Sequence, residues 1–182
     1  HDVQIDLVKN EDYDGPREAV NGGLQITFYP NLDGAYQDLL AGNLDILDQL
    51  PDSAFGTYED ELGGNFVNQP SAIFQSFTIP EYLDHFEGEE GVLRRQALSM
   101  AINRAEITEV IFQETRTPAS DFTSPVIDGW SESLEGGEVL EYNPEMAAEL
   151  WAEADAISPW EGTFAIAYNA DGGHQAWVDA VA

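Results

Sequence analysis

Residues 91–112 read GVLRRQALSMAINRAEITEVIF, and this stretch carries the strongest helical pattern in the chain. The pattern breaks at Asn103, whose side-chain oxygen can accept a hydrogen bond from the first free N–H groups of a new helix. Glu106 stands three residues further on, as in a capping box. The stretch therefore predicts two consecutive helices with one apolar stripe, which comprises Leu93, Ala97, Met100, Ala101, Ile107, Val110 and Ile111.

Three arginines lie near the starts of these two helices, Arg94, Arg95 and Arg104. Positive charge is unfavourable at a helix N-terminus, so the helix dipole does not explain their placement. We therefore predict that all three pair with neighbouring carboxylates.

The run RRQALSMAINR at residues 94–104 resembles the most recognisable segment of a known family, the family 5 bacterial extracellular solute-binding proteins of ABC importers. This family includes the oligopeptide-, dipeptide- and nickel-binding proteins, and its Arg–Ala-rich helix ends in Ala-Ile-Asp/Asn-Arg. Further similar runs follow the family order: LAGNLDI at 40–46, Pro118-Ala119 with Pro125, and YNPEMAAELWAEA at 142–154.

The resemblance implies an α/β fold that is a fragment of a two-lobed, periplasmic-binding-protein-like structure of type II, with parts of both lobes. Residues 1–77 are then a segment of the first lobe. Residues 78–182 are the N-terminal part of the second lobe, cut within its last helix. We expect the piece to come from a longer parent that carries the export signal and a membrane anchor.

The function implied by the resemblance is that of the substrate-binding component of an ABC importer. Such a protein closes its two lobes over an extracellular solute by hinge motion, and peptides are the commonest ligand. The partners implied are a peptide or other small solute and the membrane permease. The location implied is extracellular, cell-surface or periplasmic, the protein is expected to be a monomer, and no cofactor is expected.

Residues 72–77, AIFQSF, combine aromatic and hydrogen-bonding side chains in a stretch predicted to be extended. In the resembling family this segment is a strand that passes between the lobes and lines the ligand cleft. The resemblance therefore implies five ligand contacts: Ile73, Phe74, Gln75, Ser76 and Phe77. In the alternative interpretation, the apolar members fill the core on both faces of a buried strand. The acidic loop at 78–91 departs from the family pattern and leaves the hinge position open.

Alternation of apolar and polar residues predicts three early strands: Val3–Lys9, Leu24–Tyr29 and Asn43–Leu50. Between the second and third, Asp33 is predicted to cap a helix over Ala35–Ala41, which ends at Gly42. Such a strand–helix–strand unit predicts a parallel sheet with a right-handed crossover.

The C-terminal third has a second well-marked helix start, with Asn143 as the cap and Pro144 in the first turn. Its core face is predicted to comprise Met146, Leu150 and Trp151. A strand over Thr163–Asn169 and a helix from Gln175 are predicted to follow.

The charge of the chain is strongly unbalanced, since 35 acidic residues face six basic ones and give a formal net charge of −29. This excludes a nucleic-acid binder, which needs a basic surface, and disfavours anionic membranes. With 43 % hydrophobic and 11 % aromatic residues, the chain should nevertheless fold. The acidity fits either a solvated surface for an extracellular or salt-rich setting or a cation-collecting role.

Two patterns invite a metal hypothesis. Asn10, Asp12 and Asp14 precede Gly15 like the opening of a calcium loop, but Asn21 stands where that loop requires glutamate. A plain acidic turn is the alternative. His85 and Glu89 have the i, i+4 spacing of helical metal ligands, but two ligands do not make a site.

Enzyme signatures are missing from the sequence, which has no G-x-S-x-G, Walker or H-E-x-x-H motif and no cysteine. We therefore predict a binding protein. The alternatives are a nickel-complex or sugar-binding member of the same family, a hydrolase with a carboxylate dyad, or an acidic surface or adhesion module.

Overall fold

The computed structural model describes residues 3–169 and 173–182, and the chain forms two compact units, His1–Leu62 and Gly63–Ala182. In the first unit the regular elements are β1 (Gln4–Val8), β2 (Gly23–Thr27), α1 (Leu32–Leu40), a 3₁₀ turn at Asp52–Ala54 and α2 (Tyr58–Leu62). In the second they are α3 (Gly88–Ala101), α4 (Arg104–Val110), a 3₁₀ turn at Gly137–Leu140, α5 (Pro144–Ile157) and α6 (Gln175–Val181).

The sheet of the first unit is an antiparallel pair, in which Ile5 lies opposite Ile26 and Leu7 opposite Leu24. The first two predicted strands are thus confirmed. The predicted parallel sheet is wrong, because residues 43–50 form no strand among the residues described.

The end of α1 explains why no strand follows it. Gly42 adopts a left-handed φ of 76°, as predicted for the residue after a helix. The N–H groups of Asn43 and Leu44 then both donate to the Asp38 carbonyl, at 2.8 and 3.2 Å. These bonds hold the start of the segment against the helix end, and its Asn and Asp residues are weak strand formers.

The cap of α1 is Asn31, whose Oδ1 accepts from the Gly34 N–H at 2.8 Å. The prediction of Asp33 as the cap is wrong, because Asp33 lies inside the first turn and accepts from Ser53 Oγ at 2.6 Å. Both residues suit a helix start, and sequence alone placed the boundary two residues late.

A small core closes the first unit around Tyr36, whose hydroxyl donates to Glu61 at 2.5 Å. Burial, and then the bond to this carboxylate, raise the pKa of Tyr36 to about 12. Three further residues complete this buried set: Ala35, Ala54 and Tyr58.

The second unit is built on α3 packed against α5, and the buried apolar residues of this pair are Ala97, Met100, Ala147 and Ala154. The Asn143 side chain caps α5 by accepting from the Met146 N–H at 3.0 Å, as predicted. The prediction of Met146 in the core is wrong, since this residue is 39 % exposed. The alanines form the buried face because they allow α3 closer than longer side chains would.

The break between α3 and α4 is confirmed at Asn103. Its Oδ1 accepts from the Glu106 N–H at 3.2 Å. In a capping box the glutamate accepts from the backbone N–H of the cap residue. Here the Glu106 carboxylate accepts from the side-chain Nδ2 of Asn103, at 2.8 Å.

The three arginines have different partners. Arg94 pairs with two carboxylates, and Arg95 lies 3.8 Å from Glu81 and donates to the Phe86 carbonyl at 2.7 Å. The carboxylate prediction is wrong for Arg104. Its guanidinium is half-buried against backbone and donates to the carbonyls of Ser99, at 2.9 Å, and Leu140, at 3.1 Å.

The start of α3 fits closely against the chain before it. Gly91 is buried, and a Cβ at this position would overlap the carbonyl group of Phe86. Just upstream, His85 has a φ of 66°, in the left-handed region that residues with a Cβ seldom adopt. Contacts of its side chain, described below, hold it there.

Two further predicted strands are not formed: residues 72–77 and residues 163–169 run without a ladder partner in the part of the chain that is described. An extended segment needs a neighbouring strand to bond its backbone, and the second unit offers none within that part. The C-terminal helix is confirmed as α6.

Candidate functional site

Residues 73–77, the predicted ligand contacts, lie on the surface of the second unit. Ile73 is 79 % exposed and Phe74 is 38 % exposed, while Gln75 and Ser76 are also exposed and Phe77 is half-buried. The alternative that Ile73 and Phe74 fill a core is therefore wrong. The start of the segment is held by the buried Ser124, whose hydroxyl donates to the Ser71 carbonyl.

Gln75 is held by partners from two distant parts of the chain. Its Oε1 accepts from Arg116 Nη1 at 2.6 Å, and its Nε2 lies 3.2 Å from His174 Nδ1. The Arg116 guanidinium in turn lies 4.0 Å from the centre of the buried Phe112 ring, a cation–π contact.

Aromatic rings flank this glutamine on both sides. Phe77 contacts Trp177 of α6 with ring centres 5.1 Å apart, and Phe74 meets Phe122 edge-on at 6.4 Å. The Trp177 indole N–H donates to His174 Nδ1 at 3.2 Å. We call this set the Gln75 cluster, and its members are Phe74, Gln75, Phe77, Arg116, Phe122, His174 and Trp177.

Sequence reasoning missed four members of the Gln75 cluster. Arg116 and His174 lie 41 and 99 residues from Gln75, and no periodicity relates them. One usable signal was the scarcity of basic residues, which makes any arginine outside the helix starts conspicuous. Chemically, the cluster combines a cation, an amide, an imidazole and aromatic faces, which suits a ligand with both polar and apolar parts.

A second cluster surrounds Arg94, which is fully buried between α3 and α5. Its Nε donates to Glu90 and its Nη2 to Asp155, both at 2.9 Å, and Nη2 also donates to the Ser158 carbonyl at 2.7 Å. The guanidinium lies 4.5 Å from the centre of the Trp151 ring and 5.2 Å from that of Trp160.

His85 completes this Arg94 cluster. Its Nδ1 lies 2.7 Å from Glu90, and its ring centre is 4.9 Å from that of Trp160. The carboxylate that His85 contacts is thus Glu90, and not Glu89 at the i, i+4 position. No group of three His, Asp or Glu side chains suited to a metal ion occurs in residues 3–169 or 173–182.

The carboxylates of the Arg94 cluster have shifted pKa values. Burial raises the pKa of Glu90, but hydrogen bonds from His85 and Arg94 outweigh this and hold it below 4.5. The Trp160 N–H, and then Arg94, lower the pKa of Asp155 below 3.8. Arg94 thus bonds a carboxylate of its own helix and one of α5, so this cluster ties the two helices together.

A shallow groove of about 300 Å³ runs along α4 and α6. Its lining is mostly apolar, with Ile102, Ile107, Ile111 and Val181, and Asn103, Glu106 and Tyr142 supply the polar groups. None of residues 73–77 lines it.

Comparison with known families identifies the chain. The family model described as bacterial extracellular solute-binding proteins, family 5, middle, matches residues 1–182. The chain belongs to this family. No curated protein matches the chain.

Membership defines the function at a coarse level. Family 5 proteins are non-enzymatic solute-binding proteins that serve ABC importers outside the cytoplasm, so a small solute and an ABC permease are the partners. The family resemblance of residues 94–104 is thereby confirmed, and it indicates a periplasmic-binding-protein-like fold. Within the residues described, no helix is long and apolar enough to cross a membrane.

Proposed function

We propose that this family 5 protein binds peptides, as a member of the oligopeptide-, dipeptide- and nickel-binding group, and that Ile73, Phe74, Gln75, Ser76 and Phe77 contact the peptide. Residues 1–77 then belong to a first lobe and residues 78–182 to a second, which close by hinge motion. The protein acts as a monomer at the outer face of the membrane, anchored there, and delivers the peptide to the permease.

The observation that carries this proposal is the extended, exposed conformation of residues 72–77. The segment is extended and exposed, and its N–H groups make no backbone hydrogen bond to the described parts of the chain. An extended peptide can pair with such a segment as an added strand. Main-chain pairing of this kind tolerates many peptide sequences, because the side chains of the ligand are not read.

The side chains of the segment add a second kind of contact. Ile73 and Phe74 offer exposed apolar surface, while Gln75 and Ser76 offer polar groups beside it. Successive residues of an extended chain point to opposite sides. A peptide paired along the segment would therefore have Ile73 and Gln75 on one side and Phe74 and Ser76 on the other.

Calorimetric titration with a mixed short-peptide library tests the proposal. We expect saturable heat in the wild-type chain and a loss of affinity of about tenfold in Gln75→Ala, since a good hydrogen bond to a ligand is worth about 1 to 1.5 kcal/mol. Gln25→Ala, an exposed glutamine of the hairpin, is the matched control and should bind like wild type. Heat from nickel chelates or sugars but not from peptides would overturn the peptide assignment.

A further inference from the structure

We infer that His174 is a positioning residue of the solute site: held as a neutral imidazole between Gln75 and Trp177, it fixes the orientation of the Gln75 amide. This inference rests on the proposed function, in which residues 73–77 contact the solute. It follows from the direction of each hydrogen bond in a relay from Arg116 through Gln75 to His174.

The first step concerns the amide of Gln75. A guanidinium only donates hydrogen bonds, so the atom of Gln75 that faces Arg116 Nη1 at 2.6 Å must be the carbonyl Oε1. The NH₂ group is then turned toward His174, where Nε2 lies 3.2 Å from Nδ1. The amide therefore donates to the imidazole.

The second step concerns the imidazole. Nδ1 also meets the indole N–H of Trp177 at 3.2 Å, and an indole nitrogen can only donate. Two donors thus converge on Nδ1, which must carry a lone pair. The proton of His174 is then on Nε2, and the ring is neutral.

The relay is anchored at both ends. Arg116 lies over the buried Phe112 ring, and Trp177 contacts Phe77 through its own ring.

A proton on Nδ1 would oppose the N–H groups of both Gln75 and Trp177. Acid is therefore expected to break the two bonds together, to separate His174 from Gln75 and to free the Gln75 amide.

NMR tests the relay without any solute. Long-range ¹⁵N–¹H correlation on the 182-residue chain should show the Nε2–H tautomer of His174 at neutral pH. Hydrogen exchange of the Trp177 indole N–H should be slow at neutral pH and should accelerate in acid, in step with protonation of His174. An Nδ1–H tautomer at neutral pH would overturn the inference.

His174→Asn provides the conservative variant, because its amide oxygen can accept both bonds but does not titrate. We expect the Trp177 indole N–H to stay protected at both pH values in this variant. His85→Asn, a change in the Arg94 cluster, is the matched control and should keep the wild-type pH profile of the indole signal. An unprotected indole in His174→Asn, in a chain that is folded by circular dichroism, would contradict the acceptor role.

The same variants connect the relay to solute binding. In calorimetry with the mixed peptide library, wild-type affinity should fall in acid by at most the roughly tenfold loss expected for Gln75→Ala, because His174 acts through the Gln75 amide. His174→Asn should lose this pH dependence. Equal pH profiles for the two chains would overturn the positioning role, whereas no peptide heat in either chain at any pH would overturn the proposed function itself.

Discussion

The Arg94 cluster and the Gln75 cluster use the same residue types in different environments. Each combines an arginine, a histidine and tryptophan with hydrogen-bond acceptors. Arg94 is fully buried between two helices and has three oxygen acceptors, whereas Arg116 is exposed on irregular chain and bonds an amide. The buried Arg94 thus joins two helices, whereas the exposed Arg116 holds the amide of Gln75, a proposed solute contact.

The largest effect should come from Arg94→Met. It leaves Glu90 and Asp155 without their cation inside the helix pair, and breaking a buried ion pair costs about 3 kcal/mol or more. Urea unfolding measures the loss. Lys9→Met is the control and should cost less than about 1 kcal/mol, because its ion pairs with Glu11 and Glu18 lie at the surface. Similar losses in both variants would erase the contrast between the clusters.

The pH dependence of this loss is the second prediction. Glu90 and Asp155 have folded-state pKa values below 4.5 and 3.8, so their contribution is present above these values and is lost as the pH falls through the folded pKa. Asp155, which is 39 % exposed, contributes the smaller share. The stability difference between wild type and Arg94→Met should therefore shrink in acid. A difference independent of pH would show that Arg94 acts through packing alone.

Salt should separate buried from exposed charge. The net charge of −29 destabilises the compact state by self-repulsion, and added NaCl screens it. The free energy of unfolding should therefore rise between about 0.1 and about 1 M NaCl, where the Debye length falls from about 10 to about 3 Å. The cost of Arg94→Met should change little, because buried pairs are screened less. A cost that vanishes in salt would place the pair at the surface in solution.

The smallest effect on stability should come from Trp177→Phe, which keeps the ring against Phe77 and removes the bond to His174. We expect a loss below about 0.5 kcal/mol, since the bond is partly solvated. Trp160→Phe is the matched change in the Arg94 cluster and should cost about 1 kcal/mol, because this ring contacts four others and the guanidinium. Urea unfolding of the two variants side by side checks the order.

The features that the sequence predicted correctly are local ones. The caps Asn103 and Asn143 each accept from an N–H group three residues away, and the pattern of residues 91–112 repeats within each helical turn. Such signals need no knowledge of the rest of the fold.

The failures are non-local. Residues 43–50 have a strand-like pattern, but pairing depends on a neighbour that the pattern does not name. The position of residues 73–77 came from the family resemblance, whereas their partners Arg116 and His174 lie 41 and 99 residues away. The amphipathic face of α5 was misplaced because two alanines, Ala147 and Ala154, form its contact with α3.

Gly91 has a consequence for how this chain can vary. Any side chain there would have to displace the Phe86 carbonyl, which also accepts from Arg95 and lies next to the strained His85. In a library of all twenty amino acids at this position, even alanine should be selected against, although Gly91 lies outside the proposed contacts at residues 73–77 and caps no helix. The start of α3 is therefore a point of low mutational tolerance, and substitutions should be tolerated better in the loop before it.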